Sequence, residues 1–74
     1  MKNLTKEQLK SILEKHEYVL LRDRHGNLDG INSKCKNLAL RRSKLKDNDE
    51  TMYQSFRPVS FIEYINYKLP FLTQ

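Results

Sequence analysis

Tyr18-Val19-Leu20-Leu21-Arg22-Asp23-Arg24-His25-Gly26-Asn27-Leu28-Asp29-Gly30-Ile31 decides the fold, because it reads as two strands and the turn that joins them. Residues 18–22 are rich in β-formers and too short for an independent helix. Gly26 can adopt positive φ, so 23–27 suits a tight turn, and 28–31 returns as the second strand. Gly30 inside that second strand predicts a bulge or an early end.

On the N-terminal side, Thr5 followed by Gln8 is a capping box, in which hydroxyl and amide satisfy backbone donors reciprocally. Leu4 and Leu9 can staple across the cap. Leu9, Ile12 and Leu13 make a narrow apolar stripe, with Lys6, Lys10, Glu14 and Lys15 toward water, which predicts a helix over 6–16. On the C-terminal side, residues 51–57 alternate as a strand that turns Met52 and Phe56 inward and Tyr53 outward, until Pro58 ends it. Ser60 with Glu63 predicts a second capping box and a helix over 61–69, stopped by Pro70. Its inward side reads as Phe61, Ile62, Ile65 and Leu69, with Glu63 and Asn66 opposite.

Between hairpin and third strand lies 34–46, which fits two structures. As a helix, with Ser33 as a cap, it groups Cys35, Leu38, Ala39 and Leu45 on one face. As a strand it pairs with 51–57 across a turn at Asp47-Asn48-Asp49. Either way the expected fold class is α+β: one domain over 1–74, with N- and C-terminal helices packed on a small antiparallel sheet. Seventy-four residues leave no room for a second core. A single core of this size contributes only ~3–5 kcal/mol of net stability.

The same middle segment carries the charge signal. It holds six of the fourteen Lys/Arg and no acid, while the rest of the chain has eight basic residues against nine acidic ones. The whole formal excess of +5 therefore sits in one stretch. Localised positive charge attracts polyanions through counterion release. The candidate contacts are Lys34, Lys36, Arg41, Arg42, Lys44 and Lys46, helped by Arg22 and Arg24 at the hairpin tip beside His25. Two partners fit: nucleic acid, RNA or DNA, or an acidic protein surface. The first makes the chain a non-enzymatic nucleic-acid-binding or regulatory protein. The second makes it a phage-type accessory protein that inhibits or modulates a larger protein. A charged face that merely stays solvated is the bland alternative.

Other chemistry finds little support. His16, His25 and Cys35 lack metal-ligand spacing, and one cysteine makes neither a zinc finger nor a disulfide. The only glycines, Gly26 and Gly30, cannot build a phosphate loop. Cys35 has no visible base or oxyanion hole and reads as a packing residue. No catalytic residue, metal or cofactor is expected, and a ligand-sized cleft of roughly 300–1,000 Å³ would consume much of so small a core. Among the seven aromatic residues, most are needed for that core; Tyr53, by alternation, is the best candidate for stacking on a base. No secretory or membrane-spanning stretch is visible, so the expected location is cytoplasmic. Tyr64, Tyr67, Phe71 and Leu72 form an apolar patch that either closes over the sheet or joins two copies as a homodimer.

Overall fold

A computed structural model describes residues 3–45 and 47–72. Helix α1 spans Lys6–Lys15, strands β1 and β2 span Tyr18–Asp23 and Leu28–Asn32, and a 3-10 turn at Ser33–Cys35 leads into α2, Lys36–Arg42. Strand β3 covers Tyr53–Pro58 and helix α3 covers Phe61–Leu72. The strands form one antiparallel sheet in the order β2-β1-β3. Three helices on a three-stranded antiparallel sheet make a small α+β domain.

Thr5 caps α1 as the sequence predicts: its hydroxyl accepts from Gln8 N at 3.1 Å, and the Gln8 side chain accepts from Thr5 N at 2.9 Å. Leu9, Ile12 and Leu13 are buried. They meet Val19, Leu21, Ile31, Ala39 and Tyr53 in the core on one face of the sheet. Alternation sends Tyr18 and Leu20 to the opposite face, where α3 lies.

The hairpin follows its expected course. Gly26 N donates to Asp23 O and Asp23 N to Asn27 O, and Gly26 sits at φ +84°, so the connection is a tight turn closed by a left-handed glycine. Gly30 departs from expectation. It pairs in register with Leu20, without a bulge. Its lack of a side chain answers to α3 instead, because a Cβ there would lie 2.9 Å from Cδ1 of Tyr67.

The described part of 34–46 is helical over 36–42 after the 3-10 turn at 33–35, a shorter span than the basic run. Asn32, not Ser33, opens it, accepting from Lys34 N at 2.9 Å. Ala39 alone of the proposed apolar face is buried; Leu38 and Leu45 are exposed and so is Cys35, which is therefore not a packing residue. The buried Ser43 ends the helix, its hydroxyl donating to Leu40 O at 2.8 Å.

Two further expectations fail for identifiable reasons. Tyr53 is fully buried, not outward. The pairing of β1 with β3 slips between Arg22 and Asp23, so Gln54 is passed over and the alternation reverses phase. Met52 is only partly buried at the core's edge, and Phe56 remains 40% exposed beside the His16 ring. On α3, Tyr64 and Tyr67 face the sheet and the half-exposed Phe61 ring reaches Tyr18 of β1 as expected, while Ile62 is 71% and Leu69 44% exposed. The helix is apolar on both sides, and the room above Gly30 admits a tyrosine ring. The helix also passes through Pro70 instead of stopping there. Ser60 accepts from Glu63 N, but the Glu63 carboxylate takes Arg57 at 2.8 Å.

Candidate nucleic-acid interface

The hairpin tip is held by a single carboxylate. Asp23 Oδ1 accepts from the backbone N–H of His25 at 2.8 Å and of Asn27 at 3.0 Å, while Asn27 Nδ2 donates to Oδ2 at 3.3 Å. Partial desolvation pushes this carboxyl up, but the hydrogen bonds from Asn27 and His25, with the nearby His25 side chain, together outweigh it and hold it below its ordinary value. Asp23 is thus an ionised, fully used part of the turn. Arg24 and His25 project beyond it, with Arg24 Nε donating to His25 Nε2 at 3.3 Å.

A second wall comes from the chain's start. Leu4 N donates to Tyr53 O and Thr51 N to Leu4 O, both at 2.8 Å, which clamps 3–5 alongside 50–53. Thr51, fully buried, receives Tyr53 N on its hydroxyl at 3.1 Å. This clamp sets Asn3 near Met52. Past the end of α2, Lys44 joins them.

Between these walls lies a groove of about 540 Å³, lined by Asn3, Asp23, Arg24, His25, Asn27, Lys44 and Met52. It is built at the surface and takes nothing from the core, so the size argument against a ligand-sized cleft does not hold. Two other hollows are far smaller, about 170 Å³ beside Arg22 and Arg57 and about 190 Å³ beside Arg42 and Lys68.

The groove brings together Arg24 and Lys44, two of the eight basic residues expected at the interface. The others disperse. Arg22 donates to Gly26 O at 3.5 Å and lines the smallest hollow; Arg42 lines the hollow between α2 and α3. Lys36 is engaged by Glu14 of α1 at 3.4 Å. Lys34 and Arg41 are exposed and make no ion pair among the described residues. Lys46 lies outside the described residues. Asn3, Asn27 and Met52 were not foreseen as site residues; Asn27 is brought to the groove by the hairpin turn, whereas Asn3 and Met52 are brought there only by the pairing of 3–5 with 50–53.

Tyr53, expected to stack on a base, instead donates its hydroxyl to Asp29 Oδ2 at 2.5 Å beneath the sheet. Burial first, then the hydrogen bond and charge of Asp29, push its ionisation well above the usual phenol range, against a smaller opposing effect of Arg42. Among the described residues no cluster of three His, Cys, Asp or Glu could hold a metal ion, and no helix is long and apolar enough to cross a membrane. No protein-family model, curated protein or solved structure matches the chain.

Proposed function

We propose that this protein binds nucleic acid without catalysing a reaction, using the groove between the hairpin tip and Lys44, in the reducing setting of the cytoplasm. The observation that carries this reading is convergence. Two basic segments twenty residues apart in sequence, at Arg24 and Lys44, meet on one ligand-sized groove. Its one acid, Asp23, is hydrogen-bonded within the turn and keeps its charge, leaving the two cations in excess by one. Exposed cations at Lys34, Arg41, Arg42 and Arg22 add long-range attraction for a polyanion, since none is neutralised by an ion pair among the described residues.

The test is a salt titration of polynucleotide binding. Each lost phosphate contact should flatten the slope of log K against log salt by about 0.9 on duplex DNA and about 0.7 on a single strand. Changing Arg24 and Lys44 to Gln together should therefore remove about 1.4–1.8 units of slope while leaving the fold intact. A parent protein that fails to bind at low salt removes the reading.

A second reading, an accessory protein that docks on and modulates a larger protein, is favoured by the outer side of α3, where Ile62 and Leu69 stay exposed. There, Ile62→Ser should abolish capture of a partner while the Gln variants retain it. The same side could instead join two copies, which sedimentation at rising concentration would reveal as dimerisation sensitive to Ile62→Ser. Of the C-terminal patch expected to close over the sheet or join two copies, Tyr64 and Tyr67 lie against the sheet, and the side chains of Phe71 and Leu72 lie outside the described residues.

A further inference from the structure

Asn3 sets a requirement on whatever fills the groove. It is only 8% exposed, and its side-chain amide has no hydrogen-bond partner among the described residues. Asn3 is one of the residues that line the groove. An amide at the groove wall with an unpaired donor and acceptor, its polar atoms still reaching solvent, can pair with a ligand that presents both. The edge of an unpaired nucleobase presents both. A base inside a duplex has that edge consumed by its own partner, and a duplex groove admits a protruding element, not a recess.

The rest of the lining agrees. Met52 offers an apolar, polarisable surface for the face of a base. Arg24 and Lys44 supply two cations for phosphate, and Asp23 subtracts one charge, so the groove suits one or two phosphates and not a long backbone track. The volume of about 540 Å³ lies in the range that holds a ligand of nucleotide size, whereas the other two hollows do not reach it.

We infer that the groove takes one unpaired nucleotide of a single strand, with its phosphate at Arg24 and Lys44, its base against Met52 and its edge on the amide of Asn3. This rests on the nucleic-acid reading above and specifies which form of nucleic acid is bound. Recognition of single strands through apolar or aromatic contact with base faces and hydrogen bonds to base edges is the common mode for sequence read outside a duplex.

The experiment is fluorescence anisotropy with the full chain and three probes of equal length: oligo-uridine, oligo-deoxythymidine, and a duplex. Free uridine monophosphate serves as competitor. The single strands should bind at least tenfold more tightly than the duplex. Asn3→Ala should weaken them roughly five- to tenfold with the salt slope unchanged, the size of one lost hydrogen bond. Arg24→Gln with Lys44→Gln should instead flatten the slope by about 1.4. Because Asn3 bonds to nothing in the protein through its side chain, its variant should melt with the parent. If it does not, the side-chain amide resonances of Asn3 in the parent, followed during titration with oligo-uridine, give the same answer without a variant. A duplex bound as tightly as the single strands, with Asn3→Ala neutral, overturns the inference and leaves the nucleic-acid reading standing. Uridine monophosphate should compete, because the assigned contacts all fall on one nucleotide, but more weakly than the strand; no competition at millimolar concentration overturns the inference, and competition as strong as the strand's makes the groove a mononucleotide site and overturns the nucleic-acid reading. Absence of binding to all three probes at low salt overturns both.

Discussion

Removing one oxygen from Tyr53 tests the part of the fold that least follows from simple alternation. Tyr53→Phe keeps the ring and deletes the hydroxyl that donates to Asp29 at 2.5 Å. A hydrogen bond to a charged group contributes about 1.5–3 kcal/mol. Asp29 is half-buried and recovers some water, so the lower end, about 1.5 kcal/mol, is the appropriate figure. For a domain of this size each kcal/mol moves the melting temperature by ~4–8 °C, so the variant should melt about 6–12 °C below the parent by circular dichroism. The pH dependence gives an independent check. The ionisation of Tyr53 is raised above its ordinary value of 10.0 by burial and by Asp29. Stability linked to it is therefore intact below pH 10 and falls as the pH rises toward the folded-state value. The parent should lose stability more steeply than Tyr53→Phe above pH 10, narrowing the gap between them. A variant that melts within a degree of the parent, with the same alkaline profile, would refute both the burial of Tyr53 and the register slip that causes it.

Three further outcomes follow from the packing. Thr5→Ala removes the hydroxyl half of the α1 capping box, leaving the backbone N–H of residue 5 to donate to Gln8, and should cost about 0.5–2 kcal/mol, read from a denaturant melt; an unchanged midpoint would contradict that cap. Gly30→Ala places a Cβ 2.9 Å from the Tyr67 ring, so α3 must shift, and overpacking of this kind typically destabilises by about 1–3 kcal/mol. Faster hydrogen exchange in α3 than in the parent would locate that loss, and an unperturbed α3 would contradict the contact. Ile62→Ser, by contrast, should alter stability by no more than about 0.5 kcal/mol because the side chain is 71% exposed. A severe loss there would mean that the aliphatic side of α3 is buried after all.

The elements of the fold were legible wherever a local signal had one meaning. Thr5 with Gln8 marks a helix start by side-chain chemistry alone, and Gly26 between two apolar runs marks a turn. The basic segment admitted two readings because its Lys, Leu and Arg suit either structure once a strand partner exists; packing of Ala39 into the core settles it as helix. Orientation was less legible than type. The alternation of 51–57 predicts an outward Tyr53 only if the ladder is unbroken, and the slip opposite Gln54 breaks it. On α3, Tyr64 and Tyr67 form one stripe and Ile62, Ile65 and Leu69 another. Hydropathy favours burying the aliphatic stripe, whereas the room above Gly30 selects the aromatic one. Of the eight basic residues the sequence names, the structure brings Arg24 of the hairpin tip and Lys44 of the basic run onto one groove and sets the other described ones elsewhere. A short helix sends successive side chains around its axis, so a run of cations in sequence becomes several separate positions in space. Asn3 and Met52 could not be found from sequence, since they become neighbours only through the backbone bonds of Leu4 to Thr51 and Tyr53.

The most direct test of the groove as the binding site is an amide chemical-shift map of the isotopically labelled chain titrated with a short oligo-uridine. The account predicts saturable shifts at Asn3, Arg24, His25, Asn27, Lys44 and Met52, including the side-chain amide of Asn3, with Phe61, Ile62 and Leu69 unmoved. Shifts confined to the outer side of α3, or none at low salt, would contradict it.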